Sequence, residues 1–285
     1  MFSMQRINPK DTSYDDAKMI IGGIPFDGTV CYRPGTRFGP KHIRNEFYAL
    51  ETYSPFLDLD LMDYDVFDIG DMDLPIGDTL LVIDTIYNAA SKLIKDNKVP
   101  FFLGGEHLVS FPCIKAAFEK YADLYVIHLD AHTDTRDIYF GNKLSHANII
   151  RRCWDFLGDN RIYQFGIRSG SRDEFYWSLK DNHTIMRKFD LGGLSLLPDK
   201  LKDKSVYVTV DLDVLDPSIF PGTGTPEAGG ITYKEIEELF LVMGKLNIVG
   251  ADIVELSPDY DTSGVSTAVA AKVLREMMLS IVKNK

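Results

Sequence analysis

The chain has 285 residues, 45% of them hydrophobic, and its 42 acidic against 31 basic side chains give a net charge of −11. That length fits one large α/β domain or two smaller ones, and the carboxylate surplus argues against nucleic acid as a partner while suiting a cationic one. No stretch approaches the roughly eighteen uninterrupted apolar residues of a membrane span, and the opening M-F-S-M-Q-R-I-N-P-K lacks the apolar core of a secretory signal, so a cytoplasmic protein with no membrane partner is expected.

Residues 18–24 are an apolar run containing Gly22-Gly23 and closed by Pro25, a first strand feeding the loop F-D-G-T-V-C-Y-R-P-G-T-R-F-G-P. Gly39-Pro40 opens a helix expected to reach about residue 50, proline at the first turn being pre-set for helical φ. Residues 65–69 read as a strand, and residues 78–97 place Leu81, Ile83, Ile86, Ala89, Ala90, Leu93 and Ile94 at helical spacing. Residues 99–103 are continuously apolar, as in a strand covered on both faces, and run into Gly104-Gly105-Glu106-His107; a helix follows to about residue 121. Tyr125-Val126-Ile127, too short for a helix and rich in β-branching, begins another strand, followed by a helix near 145–156. Strands at 161–167 and 183–188 flank a helical stretch at 172–180. The strand at 205–210 leads into Asp211-Leu212-Asp213-Val214-Leu215-Asp216-Pro217; a helix at 232–245, a strand at 247–256 and a closing helix at 263–282 complete the chain. Cys31, Cys113 and Cys153 are widely separated, with no C-x-x-C pair, and read as reduced, buried small hydrophobes.

This alternation predicts an α/β fold, a mostly parallel eight-stranded sheet with helices on both faces, in a single domain over 1–285. A closed (βα)8 barrel fits the same alternation and is the alternative.

Polar clusters stand directly after four of the predicted strands: His107; then Asp130, His132 and Asp134; then Asp211 and Asp213; then Glu255. Side chains two apart on extended chain point the same way, and parallel strands end along one sheet edge, so these residues are expected to converge. Four carboxylates buried together need neutralising, which two divalent cations would do, and two imidazoles complete two coordination shells when a carboxylate bridges. A ligand set rich in oxygen with some nitrogen favours Mn²⁺ over Zn²⁺, with iron, cobalt or nickel as other occupants. Glu106 reads as a surface or outer carboxylate, and Asp216 before Pro217 as a turn residue.

The segments G-G-E-H (104–107), D-A-H-T-D (130–134), D-L-D-V-L-D-P (211–217) and V-E-L-S-P (254–258) resemble the ureohydrolase signatures shared by arginases and agmatinases. The likeness runs from G-I-P-F-D-G at Gly23 to the last helix, includes P-G-T-G-T-P-E-A-G-G (221–230), and leans toward bacterial agmatinases. It implies a three-layer α/β/α arginase-like fold, two Mn²⁺ per chain, and a homotrimer or homohexamer. Carried over by position, His107, Asp130, Asp134 and Asp211 hold one manganese and Asp130, His132, Asp211 and Asp213 the other, with Asp130 and Asp211 bridging. One departure is Ala147 after His146, where the family commonly has glycine, although Leu144-Ser145-His146 still resembles an agmatinase subgroup.

Two metals flanking one water would lower its pKa and hold the hydroxide for attack on a guanidinium carbon. Glu255 is then placed to pair with the guanidinium nitrogens, Asp134 to relay a proton to the leaving amine, and His146 to shuttle protons to solvent. The loop at 135–145 is expected to line the mouth. Arginases commonly place Asn two residues beyond the last aspartate of D-A-H-T-D and a later G-N-x-H-G; here Arg136 takes the first position and G-N-K-L-S-H matches the second only in part. Arg136 turned inward would suit a guanidino acid, whereas turned outward or paired with Asp137 it leaves room for a cationic tail. The expected reaction is agmatine to putrescine and urea, a small cationic guanidino substrate; 4-guanidinobutyrate or arginine at the same metal centre is the alternative. A scaffold whose metals only tie strands together would not need Glu255, and a metallophosphatase would need a phosphate nest that the sequence does not offer.

Overall fold

The computed structural model describes residue 7 and residues 9–284, so most of the N-terminal stretch read above for a secretory core, and Lys285, lie outside the described residues. The strands are β1 (Met19–Ile24), β2 (Tyr53–Ser54), β3 (Leu59–Asp60), β4 (Val66–Asp71), β5 (Val99–Gly104), β6 (Tyr125–Leu129), β7 (Ile162–Ile167), β8 (Ile185–Lys188), β9 (Ser205–Asp211) and β10 (Asn247–Val254). The α-helices are α1 (Gly39–Phe47), α2 (Thr79–Lys95), α3 (Ser110–Lys120), α4 (Ile149–Leu157), α5 (Arg172–Leu179), α6 (Leu197–Lys200), α7 (Tyr233–Met243) and α8 (Val265–Val282).

Eight strands form one open sheet in the order β4-β1-β5-β10-β9-β6-β7-β8, and every pairing in it is parallel. With β4 and β8 as edges the sheet does not close, which excludes the barrel alternative. Strands β5, β7 and β9 are buried at every position, as a parallel sheet covered on both faces requires. Successive residues of β5 go to opposite sides. Phe101 and Leu103 pack with Ile43 and Phe47 of α1, Leu239 of α7 and Leu274 of α8, while Phe102 joins Val82 and Ile86 of α2, Ile114 of α3 and Ile150 of α4. The result is three layers, α/β/α. Truncating Phe102, wholly buried, to alanine would cost ~3–5 kcal/mol.

The antiparallel hairpin β2–β3 and the single-turn α6 were not anticipated, being too short to show a period. Helix α1 stops at Phe47, short of the expected end near residue 50, and β10 stops at Val254, leaving Glu255 beyond the strand. Among the described residues no helix is long and apolar enough to cross a membrane.

Candidate metal centre and its cleft

Register decides what meets at the sheet edge. Leu103 of β5 pairs with Ile253 of β10, Ile253 with Val210 of β9, and Val210 with Leu129 of β6, so these residues form one row across the four central strands. The next row is Gly104, Val254, Asp211 and Asp130, and the segments bearing His107, Glu255, Asp213, His132 and Asp134 leave the sheet from there. Sequentially adjacent β5 and β6 lie on either side of the inserted β10–β9 pair, so the crevice opens where strand order reverses, the usual ligand position of open α/β sheets.

The structure brings every residue expected as a ligand together. His107 Nδ1 lies 3.1 Å from Asp130 Oδ2, 3.3 Å from Asp134 Oδ2 and 3.3 Å from Asp211 Oδ2. That nitrogen is buried and makes no hydrogen bond. His132 Nδ1 is 3.0 Å from Asp213 Oδ2 and 3.4 Å from Asp130 Oδ1. Asp130 therefore turns one oxygen toward each group. His128, which the sequence reading passed over, also reaches this place, with Nε2 2.9 Å from Asp130 Oδ2.

Burial pushes the Asp134 carboxyl up to about 7, with the charge of Asp130 adding to it. Burial, then Asp213 and Asp130, raise Asp211 well above the carboxylate range, and burial followed by Glu106 raises Glu255. For Asp130 burial acts upward too, but the three imidazoles around it, His107, His128 and His132, outweigh it and hold its carboxyl well below the usual range. Burial disfavours the cations of His107 and His132, yet the surrounding carboxylates win and raise both. Acids that must keep protons to share a site, around a buried imidazole nitrogen that makes no hydrogen bond, are a donor set that fits divalent cations.

Local backbone sets the aim of these groups. Asp134 (φ 52°) and Glu255 (φ 66°) are both left-handed, a conformation costing non-glycine residues ~1–3 kcal/mol each in constrained settings. Backbone bonds hold them there: Ile150 and Arg151 N–H donate to Asp134 O at 3.0 and 3.3 Å, and Glu255 N–H donates to Gly105 O at 2.9 Å. Glu255 Oε1 then accepts the His107 backbone N–H at 2.7 Å, which sets its carboxylate beside the cluster. Gly105 has to be glycine, because a Cβ there would stand 1.9 Å from the Phe26 carbonyl.

Other side chains that the sequence reading did not single out back the ligands. His107 Nε2 lies 2.9 Å from Thr209 Oγ1, whose hydroxyl donates to Asp252 Oδ1 at 2.6 Å, fixing the ring with Nδ1 toward the cluster. Glu106 is fully buried rather than on the surface. It accepts the Thr29 N–H at 2.9 Å and the Thr29 hydroxyl at 2.5 Å, while burial pushes it up to about 7 against those bonds. Thr29 Oγ1 in turn accepts the His146 N–H at 3.1 Å. The available signal was parity: His128 and Thr209 are polar residues inside apolar strands, each two positions before a ligand.

A cleft of about 350 Å³ opens over the cluster, reaching His132, Asp134, Asp211 and Glu255 below and Arg136, Tyr139, His146 and Glu174 at the wall. His146 opens a short 3₁₀ turn, and burial pushes its pKa down to about 4, leaving the ring neutral at pH 7. Ala147 is not among the residues at positive φ, so this turn does not demand the family's glycine. Arg136 does not pair with Asp137, which binds Arg152 at 2.6 Å. Its Nε lies 3.3 Å from Glu174 Oε2, and its guanidinium sits 4.6 Å from the Tyr139 ring centre. Cys113 and Cys153 are buried free thiols as expected, but Cys31 is exposed, its Sγ 3.6 Å from His146 Nε2. Asp216 is a turn residue, accepting the N–H groups of Ser218, Gly229 and Gly230.

Comparison with known proteins places this geometry. Residues 17–280 match the model of the arginase family. An agmatinase of Bacillus cereus is 48% identical over 95% of this chain and 94% of its own length. The crystal structure of a protein assigned as an agmatinase from Clostridium difficile superposes with a TM-score of 0.94 at 52% identity, covering 95% of this chain and 99% of that one. The agmatine ureohydrolase of Thermoplasma volcanium does so with a TM-score of 0.88 at 36% identity, over 99% of this chain and 95% of that one. With its cluster of carboxylates and histidines at the switch point of a parallel sheet and these relatives along nearly its whole length, the chain belongs to the arginase family and is a hydrolase of guanidino compounds, alike in sequence to bacterial agmatinases.

Proposed function

We propose that this protein hydrolyses agmatine to putrescine and urea with two manganese ions. His107, Asp130, Asp134 and Asp211 would hold one ion and Asp130, His132, Asp211 and Asp213 the other. The observation that carries the reading is the buried, unpartnered Nδ1 of His107 inside a ring of carboxylates at the base of the cleft. Asp130 has an oxygen facing each group and Asp211 approaches His107 through Oδ2, which supports these two as the carboxylates both ions would share. When bound, such a pair supplies the Lewis acidity that makes water nucleophilic at neutral pH.

Glu255, anchored on the His107 backbone, would pair with the guanidinium nitrogens and orient its carbon. Asp134, whose carboxyl titrates at about 7, is suited to taking a proton from the nucleophile and passing it to the departing amine. His146, neutral at the cleft wall, would carry further protons between the cleft and solvent. Agmatine is favoured over 4-guanidinobutyrate or arginine because Arg136 is the one lysine or arginine among the described residues lining the cleft, and Glu174 already engages it. With that arginine so held, a carboxylate tail would meet no free lysine or arginine among those residues. The ureohydrolase resemblance supports a homotrimer or homohexamer, and the sequence supports a cytoplasmic location.

The test is to strip the protein with a chelator, reload it with Mn²⁺ and quantify products from agmatine. Equal amounts of urea and putrescine, formed only after about two ions per chain return, are expected. Hydrolysis by stripped protein, or full activity at a single ion, would contradict the reading.

A further inference from the structure

His128 is a fully buried histidine of β6 that no part of the proposed reaction uses, and it stands close enough to His107, Asp130 and Asp134 to pass for another metal ligand. Its neighbours argue otherwise. The side-chain amide of Gln164, on β7 and directly paired with His128 across the sheet, lies 3.1 Å from His128 Nδ1 and 2.9 Å from the Thr133 carbonyl. A carbonyl can only accept, so the amide nitrogen must face Thr133, and its second hydrogen then points at His128 Nδ1. The amide is held this way even though Gln164 Oε1 finds no partner; turning it over would set that oxygen against the Thr133 carbonyl. With Nδ1 accepting, the ring proton sits on Nε2, which is 2.9 Å from Asp130 Oδ2. A nitrogen that carries the proton and donates it cannot also ligate a cation.

We infer that His128 is a positioning residue that donates to the bridging carboxylate Asp130, with Gln164 setting its tautomer, and that the pair orients the ligand both metal sites share. The same Gln164 amide holds the carbonyl just before Asp134, so one side chain of β7 steadies two ligand-bearing positions. The inference rests on the two-metal reading above, and it concerns a strand that contributes no ligand of its own.

The test is a manganese titration of chelator-stripped protein, following free Mn²⁺ by its electron paramagnetic resonance signal so that count and affinity are read without turnover. Gln164→Met keeps length and volume but loses both donors; His128→Asn shortens the donor out of reach. Both variants should still bind two ions, each ion held about 10–100-fold more weakly, the usual consequence of removing a group that orients a ligand. Thr209→Val, which loosens His107 alone, should weaken mainly one. If His128→Asn bound a single ion, His128 would be a ligand and the inference wrong; Gln164→Met binding both ions as tightly as wild type would overturn it equally, and decides the matter alone should His128→Asn fail to fold. Were the wild type itself to bind one ion, the two-metal reading would fall, and the inference would stand only if Gln164→Met weakened that ion.

Discussion

Replacing Glu255 by glutamine separates what this carboxylate does for catalysis from what it costs the fold. Glu255 is 7% exposed, and its Oε1 accepts the His107 N–H at 2.7 Å, a bond the glutamine carbonyl can keep. What disappears is the charge. Loss of a charged partner for the guanidinium should cut kcat for agmatine about a hundredfold or more, roughly 3 kcal/mol of transition-state stabilisation. Stability should move the other way. Burial, then repulsion from Glu106, raises the Glu255 pKa in the folded state, so its favourable contribution is complete below the unfolded value of about 4.3 and is lost as pH climbs through the folded one. Metal-free Glu255→Gln should therefore match the wild type near pH 4 and exceed it at pH 8, by ~0.5–2 kcal/mol if it is of the size common for single stabilising substitutions. That is a melting-point gain of about 2–4 °C per kcal/mol. Thermal unfolding at the two pH values, beside urea-release kinetics and metal analysis, reads all three quantities. Near-wild-type turnover, or a variant less stable than wild type at pH 8, would refute the reasoning.

Asp130→Asn should weaken both ions, whereas His107→Asn should weaken mainly one, as counted by elemental analysis after dialysis. His146→Asn should lower kcat about tenfold with metal content unchanged and be partly rescued by imidazole in the buffer; no loss would leave His146 an ordinary wall residue. Thr29→Val removes the hydroxyl that links Glu106 to the His146 backbone, so it should lower kcat through the same loop. It should also destabilise the protein by up to ~1.4 kcal/mol more at pH 8 than at pH 5, one pKa unit's worth, because Glu106, titrating at about 7 even with that donor, becomes harder still to ionise without it.

The convergence of these acids and histidines could be read from the sequence because each follows a largely apolar strand, where period-two spacing fixes side and parallel pairing fixes edge. Asp130 and Asp211 occupy adjacent positions of one row for that reason. The strand order could not be read this way: nothing local in 205–211 or 247–254 says that those strands insert between β5 and β6, although that insertion is what brings His107 and Asp130 within 3.1 Å. The left-handed backbone at Asp134 and Glu255 was equally hidden, since loop contacts from distant residues impose it. For Glu106 the sequence leaves a surface and an outer carboxylate open, because a carboxylate in a glycine-rich loop can be solvated, and only the fold shows Thr29 arriving to cover it and excludes the surface. The sequence leaves Arg136 two orientations because its partner, Glu174, is remote in sequence and belongs to the first turn of α5.

The most direct test of the proposed activity is kcat/KM for urea release by the manganese-loaded enzyme with agmatine, arginine and 4-guanidinobutyrate. With Arg136 held by Glu174, agmatine should be the best substrate, since the carboxylate tail of either acid would find no free lysine or arginine among the described residues lining the cleft. A higher kcat/KM for either acid-bearing compound would mean that Arg136 turns to meet the substrate's carboxylate, and the agmatine assignment would be wrong.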